Sequence, residues 1–221
     1  TITVALKEGK AAEAKGTNAG KYYMGLKEDD FTVTSANYSN IKVVVVDGYL
    51  DITPITDEVT VTITGNHDSK VYNGSEQSVT GYTTDVGEKT INVALKEDSK
   101  AEAKGTDVGT YNMGLTADDF TVTSDNYSNI KVVVNDGSLK ITPITEKVTV
   151  TIEGHKGTFK YDGTEHTVTG YDVTGISNPL YTKADFTFSG TAEVKEKNAS
   201  ESAYPMGLDA SQFTNVSGNF S

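Results

Sequence analysis

The 221-residue sequence lacks several features on which whole classes of proteins depend. It contains no Cys, which excludes a disulfide framework, an iron–sulfur cluster and a thiolate zinc site. It contains no Arg either: all 19 basic residues are Lys, and 31 acidic residues bring the net charge to -12. Because a surface that follows nucleic-acid phosphates must be basic, we expect no nucleic-acid partner.

Long apolar runs are also missing. The longest stretch, at 41–46, is interrupted by Lys42 and is far shorter than a membrane-spanning helix, so we expect no membrane insertion of this segment. The chain opens in a strand-like pattern at Thr1 rather than in the charged and apolar regions of a signal peptide.

An internal repeat is the main signal that is present. Shifting the sequence by 89 residues aligns 1–58 with 90–147 without a gap, and 42 of these 58 pairs are identical. The same shift aligns 59–82 with 148–171, where 13 of 24 pairs are identical. A third copy then diverges and matches again at YPMGLDASQFTNVSGNFS, which parallels YNMGLTADDFTVTSDNYS.

The repeat divides the chain into three segments, which we call copy 1, copy 2 and copy 3. Copy 1 (1–58) is the C-terminal part of a first repeat, copy 2 (59–147) is one complete repeat, and copy 3 (148–221) is the N-terminal part of a third repeat. We expect a piece of a longer array, in which modules contact mainly their neighbours.

Each repeat has the pattern of an all-β module. Val59–Thr64 alternates between β-branched apolar residues and Thr, which is typical of a half-buried strand. Further runs lie at 77–82, 90–95, 110–113, 120–123, 130–134 and 138–142, and Asn73-Gly74 and Asp136-Gly137 are strong hairpin signals. The Ala-rich segment 101–104 is interpreted as an exposed strand or an irregular crossing, with one helical turn as an alternative. About seven short strands in 89 residues predict tandem immunoglobulin-like antiparallel β-sandwich modules joined end to end.

The predicted core follows from the alternation in these strands. Its members are apolar, and most lie at every second position of a run: Val59, Val61, Ile63, Val79, Ile91, Val93, Leu95, Met113, Leu115, Phe120, Val122, Ile130, Val132, Leu139 and Ile141.

The connection between copies is short. The sequence around Pro143 leads from the last run of copy 2 into the first run of copy 3 without a Gly/Ser spacer. Pro fixes φ and keeps its neighbour extended, so such a joint should limit bending. We expect a rod in which each module advances the chain by roughly 30–40 Å.

Catalytic and metal-binding patterns are weak. His67, His155 and His166 align with Lys156, Asn66 and Gln77, so no His recurs between copies, and we interpret them as surface loop residues. The sequence has no nucleophile elbow, phosphate loop or paired-His motif, and we expect no enzyme, no catalytic residues and no cofactor.

Acidic pairs are the best candidates for a functional site. Asp29-Asp30 and Asp118-Asp119 precede a Phe, whereas copy 3 has Asp209-Ala210 there, and no Asp-x-Asp-x-Asp run exists. Calcium is therefore the weaker alternative, and we favour a turn residue and a solvated charge that lead into a strand. We expect no metal.

Two further residue types leave alternatives open. Six Asn-x-Ser sequons occur, which reflects an abundance of turn residues unless a glycosylating host is present; they begin at Asn37, Asn73, Asn126, Asn198, Asn215 and Asn219. Twelve Tyr could stack on sugars, although packing across corners is their commoner role.

Three motifs carry a resemblance to a known family. KYDGTEHTVTGY, AKGTDVGTYNMGL and NYSNIKVVVNDGSLKITPI resemble the tandem MBG- or YDG-type β-repeats of large bacterial surface and adhesin-like proteins. The resemblance implies an immunoglobulin-like module in an extracellular, cell-surface or wall-associated stalk that projects a binding domain, and it brings no catalytic residues. A carbohydrate- or host-ligand-binding β-sandwich is the alternative function.

The incomplete copies lead to a last expectation about partners. Copy 3 has no counterpart of 129–147 and copy 1 has none of 59–89, so an apolar sheet edge should be uncovered. Neighbouring repeats of the same chain are the expected partners, and strand addition by another chain would give end-to-end self-association.

Overall fold

The computed structural model describes all residues from Thr1 to Ser221, and it contains 20 β-strands, four 3-10 turns and no α-helix. The prediction of an all-β chain is confirmed, whereas tandem immunoglobulin-like sandwiches stay a prediction. Copy 1 forms β1 (Ile2–Leu6), β2 (Gly20–Tyr23), β3 (Phe31–Ser35) and β4 (Tyr49–Ile52). Copy 3 forms β15 (Val150–Gly154), β16 (His166–Thr169), β17 (Tyr171–Ile176), β18 (Phe186–Phe188), β19 (Glu193–Glu196) and β20 (Phe213–Asn215).

Copy 2 is richer in strands than the sequence indicates. Its strands are β5 (Val59–Gly65), β6 (His67–Val71), β7 (Gln77–Thr80), β8 (Tyr82–Asp85), β9 (Asn92–Leu95), β10 (Glu102–Gly105), β11 (Gly109–Asn112), β12 (Phe120–Thr123), β13 (Ile130–Asn135) and β14 (Ser138–Thr142). The predicted run 77–82 is two strands, because Gly81 takes φ +91 between them. The 3-10 turns are Glu28–Asp30, Ala117–Asp119, Lys183–Asp185 and Ala210–Gln212.

The chain divides into two compact units, and the first comprises 1–66, 81–101 and 113–137. It holds the pairs β1–β3, β2–β4 and β9–β12 and the sheet β13–β5–β8. The apolar residues of β5 point to one side as the alternation predicts, and Val61 and Ile63 are completely buried. Ala101, Leu115 and Phe120 complete this core cluster.

The second unit comprises 67–80, 102–112 and 138–221. It holds the pairs β7–β10, β15–β17, β16–β19 and β18–β20 and the sheet β11–β14–β6. Leu139 and Ile141 of β14, the central strand of that sheet, are buried to 0% and 1% exposure. Together with the first unit, this confirms the predicted core at its most buried positions.

The prediction of a hairpin at Asp136-Gly137 is wrong. β13 pairs with β5 and β14 pairs with β6, both in parallel, so the two strands flanking Asp136-Gly137 do not pair with each other. The Asp136 carboxylate instead accepts hydrogen bonds from the backbone N–H groups of Gly114 and Leu115 at 3.0 and 2.9 Å. Asp47 holds Gly25 and Leu26 in the same way in copy 1, both at 2.9 Å. This motif therefore fixes a neighbouring loop, and the modules are not purely antiparallel.

The turn predicted at Asn73-Gly74 exists, but it does not make a hairpin. Gly74 has φ +75, and the Asn73 side chain accepts from the Ser75 N–H, as in an Asx-turn. The strands on either side join different partners, since β6 pairs with β14 and β7 pairs with β10.

The segment 101–104 corrects another expectation. It contributes to β10, it has no helical turn, and Ala103 is only 2% exposed. The Ala101 and Ala103 side chains face the protein interior, at 9% and 2% exposure. The strand expected here is therefore confirmed for 102–104, but its exposure is wrong; one helical turn was the alternative because Ala, Glu and Lys favour helices.

Candidate functional site: the junction between copies

The end of copy 1 is hydrogen-bonded to a turn of copy 2 within the first unit. The Ile55 N–H donates to the Asn126 carbonyl at 2.8 Å, and the Ser128 N–H donates to the Ile55 carbonyl at 3.0 Å. These two bonds form an isolated parallel bridge between Ile55 and Tyr127. The Ser128 hydroxyl also donates to the Ile55 carbonyl at 3.2 Å, so both backbone groups of Ile55 are used.

The Asn126 side chain extends this junction to a loop of copy 1. Its Oδ1 accepts from the Ala19 N–H at 2.6 Å, and its Nδ2 donates to Asn18 Oδ1 and to Thr90 Oγ1, both at 3.0 Å. An amide has two N–H donors, and both have acceptors here. The Asn126 side chain therefore connects Asn18 and Ala19, in a loop of copy 1, with Thr90, which lies just before β9.

The same junction is formed a second time, between copies 2 and 3 and within the second unit. The Ile144 N–H donates to the Asn219 carbonyl and the Ser221 N–H donates to the Ile144 carbonyl, each at 3.0 Å. Asn219 Oδ1 accepts from the Val108 N–H at 2.8 Å, and its Nδ2 donates to Asp107 Oδ1 at 3.0 Å. A carboxylate replaces the amide acceptor Asn18, which strengthens a bond of this kind.

An aromatic residue follows the Asn in each copy, and its exposure depends on whether the junction is present. Phe220 is 7% exposed and packs edge-on against the Tyr181 ring, with centroids 5.0 Å apart. Tyr127 is half-buried. Tyr38 follows Asn37 at the equivalent place of copy 1, where no junction forms, and it is 61% exposed. Burial of this ring therefore accompanies the docking of a preceding copy.

The junctions explain why the connecting segments need no spacer. Pro54 and Pro143 directly precede the bridging Ile55 and Ile144, and Pro keeps the chain extended into the bridge. The bridging backbone groups are paired on both sides, so bending at this point would break hydrogen bonds rather than rotate a free linker.

In each acidic pair considered as a calcium site, the second carboxylate, Asp30 or Asp119, caps a 3-10 turn. Asp119 accepts from the Thr116 N–H and hydroxyl at 2.7 and 2.9 Å and from the Ser99 hydroxyl at 2.7 Å. The Ser99 hydrogen bond, followed by those of Thr116, lowers the pKa of Asp119. Asp30 is buried and forms an ion pair with Lys10 at 2.7 Å; this contact and the Lys27 N–H lower its pKa. No group of three or more potential metal ligands occurs in the structure.

Copy 3 keeps the same turn with different residues. Asp209 is the N-cap and accepts from the Ser211 N–H at 2.9 Å, while the Gln212 side chain accepts from the Asp209 N–H at 3.0 Å. Asp209 therefore occupies the position of Thr116, not that of an acidic pair. A fourth turn, where Thr182 pairs with Asp185, was missed; its Thr-x-x-acid spacing is the signal that could have indicated it.

The three His lie apart, mostly at strand ends rather than in loops. His67 contacts the Ser138 hydroxyl at 3.0 Å, and His155 lies 3.3 Å from the Asp172 carboxylate. His166 contacts Asp162 at 3.1 Å and stacks on Phe159 with centroids 4.6 Å apart. Each has its own partner; His155 and His166 line the same groove of copy 3, whereas His67 lies elsewhere.

An open groove of about 780 Å³ lies in copy 3 between the segments 154–161 and 196–208. Three of its aromatic rings are exposed: Phe159 by 53%, Tyr161 by 66% and Tyr204 by 41%. Residues 156–160 and 197–208 form no strand, although their counterparts in copy 2, β6 and β11, belong to one sheet.

Sequence reasoning missed the junction. Asn126 and Asn219 were noted only as sequons, and the structure uses their side chains to join copies. The available signal was recurrence: Asn, an aromatic residue and Ser recur together in all three copies, beginning at Asn37, Asn126 and Asn219. A polar residue that recurs with its neighbours in every copy is a candidate for a repeated contact.

No protein-family model matches the chain, and no curated protein is found to be similar to it. The resemblance to MBG- or YDG-type repeats therefore remains an expectation from the motifs. No helical segment of the structure is long and apolar enough to cross a membrane.

Proposed function

We propose that the chain is part of a structural stalk, without a catalytic role, in an extracellular or cell-surface bacterial protein of the adhesin type. Its repeats hold a binding domain at a distance from the cell. The observation that carries this proposal is the junction, which is made twice with the same backbone bridge and the same Asn side chain. A spacer must not bend freely where one repeat follows the next, and hydrogen bonds that fix successive copies to each other within a compact unit meet that need.

The charge and composition agree with this role. A net charge of -12 keeps neighbouring stalks apart, and the absence of Cys makes the fold independent of redox conditions. The location at the cell surface comes from the resemblance of the motifs.

Small-angle X-ray scattering of the monomeric 221-residue protein tests the proposal. We expect an extended profile, and an increase in flexibility when Asn126→Ala and Asn219→Ala are combined, because each joint then loses its side-chain bonds. Asn37→Ala is the matched control, since the Asn37 side chain makes no hydrogen bond in the structure. A compact profile for the unaltered protein would contradict the stalk.

Recognition of glycans is the second candidate, and the exposed rings of Phe159, Tyr161 and Tyr204 favour it. Aromatic faces are common platforms for sugars. A glycan array with Tyr161→Ala distinguishes this function: binding that disappears in this variant, but persists in Tyr38→Ala, would support a sugar site at the groove.

A further inference from the structure

We propose that Asn73 is a site of self-modification, at which the side-chain amide is lost and the residue becomes a mixture of aspartate and isoaspartate. The reaction needs only this chain and water. The isoaspartate product loosens the contact that this turn of copy 2 makes with copy 3. This inference goes beyond the proposed stalk function and does not depend on it.

The residue pair at this turn suits the chemistry, and Asn73-Gly74 is the only Asn-Gly pair in the sequence. The Gly74 nitrogen loses its proton and attacks Asn73 Cγ, the Cγ–Nδ2 bond breaks, and ammonia leaves a cyclic succinimide. Water then opens this ring. Hydrolysis of the new N–Cγ bond gives aspartate, whereas hydrolysis of the original N–C bond leaves the main chain running through Cγ, as isoaspartate. Because Gly has no Cβ, its nitrogen is easily reached.

The geometry of the turn assists the attack. The Ser75 N–H donates to Asn73 Oδ1 at 2.9 Å, and the ring closed by this bond includes both reacting atoms, the Gly74 nitrogen and Asn73 Cγ. Negative charge develops on Oδ1 during the attack, and an N–H group that already points at this oxygen stabilises that charge. No hydrogen bond holds the Gly74 N–H, and both residues are exposed, so base and water reach the site.

Copy 3 shows that the aspartate product fits this turn. It has Asp162-Gly163 at the equivalent place. Asp162 Oδ1 accepts from the Thr164 N–H at 2.9 Å, and Gly163 has φ +79 where Gly74 has +75. Conversion of Asn73 to aspartate therefore keeps the turn. Isoaspartate differs because it inserts a methylene group into the main chain.

The main chain on both sides of Asn73 is fixed within the second unit. The Tyr72 N–H donates to the Thr142 carbonyl at 2.9 Å, and the Tyr72 ring packs edge-on against Phe220 of copy 3 with centroids 6.0 Å apart. Gly74 approaches Leu180 of copy 3 so closely that an added Cβ would lie 2.7 Å from Leu180 Cδ2. A methylene inserted between these two anchors displaces one of them, so isoaspartate weakens the contact between the copies.

Incubation of the folded 221-residue protein at neutral and mildly alkaline pH, followed by peptide mapping with mass spectrometry, tests the proposal. We expect Asn73 to convert faster as the pH rises, and no more slowly in the folded protein than in urea. Asn198 is the internal control, since it is also exposed and precedes Ala-Ser where Asn73 precedes Gly-Ser. Its conversion should be slower by at least about tenfold. Asn73→Gln should abolish the reaction at this position, because Gln would have to close a larger ring.

Ion-exchange separation of the incubated protein tests the effect on the contact. The isoaspartate fraction should unfold at a lower temperature than the unmodified protein. Asn73→Asp is the matched control: it carries the same added charge without the extra methylene, and it should keep the thermal midpoint of the unmodified protein. An Asn73 that stays intact at alkaline pH, or that converts more slowly in the folded protein than in urea, would overturn the proposed site. An isoaspartate fraction as stable as Asn73→Asp would overturn the loosening of the contact.

Discussion

Single residues of identical type have different roles in the three copies, and Asn126 and Asn37 show this most clearly. The Asn126 side chain makes three hydrogen bonds at the junction, whereas the Asn37 side chain makes none. We expect Asn126→Ala to lower the free energy of unfolding by about 1–3 kcal/mol, because it leaves the half-buried Ala19 N–H without an acceptor. Urea unfolding measures this. Asn37→Ala should change stability by less than about 0.5 kcal/mol; equal losses in both variants would mean that the junction does not carry the effect.

At the same scale, position 105 must be a glycine because an aromatic ring occupies the space that a side chain would need. A Cβ atom at this position would lie 2.1 Å from the Tyr111 ring, and Tyr111 is held by the bond from its hydroxyl to the Asp107 carbonyl at 2.9 Å. We expect Gly105→Ala to cost about 1–3 kcal/mol through overpacking, as seen in the thermal midpoint. Gly218→Ala is the control, because no atom lies within 4 Å of its added Cβ. The repeat shows that Gly16 and Tyr22 recur together, but only coordinates show that the ring covers the Gly.

At the scale of elements, the central position of β14 makes its apolar residues the most sensitive in the sheet. Leu139 is fully buried between β11 and β6, whereas Leu50 in β4 has a neighbour on one edge only and is 37% exposed. We expect Leu139→Ala to destabilise the chain by about 2–5 kcal/mol, and Leu50→Ala by clearly less, because the lost burial and the cavity are smaller. Chemical denaturation of the monomeric protein compares the two; equal losses would show that the second neighbour of β14 adds little.

The elements also show where sequence reasoning ends. Alternation in 59–64 correctly predicted a strand and its buried face, because period two is a local property of the chain. Asp136-Gly137 was misinterpreted because the same dipeptide suits a hairpin and a bend between two parallel ladders, and only distant partners, β5 and β6, decide between them. β6 itself was missed since His67–Val71 is mostly polar and exposed, and it forms a strand through its pairing with β14. The junction was missed for the same reason, since its partners are distant in the sequence: the bonds of Ala19 to Asn126 and of Val108 to Asn219 span 107 and 111 residues.

At the scale of the whole molecule, carboxylates in every copy link stability to pH. Hydrogen bonds from Lys10 and Lys27 lower the pKa of Asp30, those from Ser99 and Thr116 lower that of Asp119, and those from Ser211 lower that of Asp209. Each group is a better acid in the folded chain than in the unfolded chain. Its stabilisation is therefore complete above the unfolded value of about 3.9, and it is lost as the pH falls through the lower native pKa.

We expect the thermal midpoint to decrease steeply below about pH 4, when these capping carboxylates are protonated. Net charge at first raises the thermal midpoint as the pH falls from 7, because neutralising a charge of -12 reduces repulsion within the chain. At still lower pH, 19 Lys and three His make the chain strongly positive, and repulsion then adds to the loss of the caps. A thermal-unfolding series from neutral to acidic pH measures the balance. Asp119→Asn should make the thermal midpoint decrease less steeply at acidic pH, since an amide cannot be protonated in this range. Asp118→Asn should leave the decrease unchanged, because the Asp118 carboxylate caps no turn. If both variants kept the wild-type slope, Asp119 would make no contribution to the acid sensitivity.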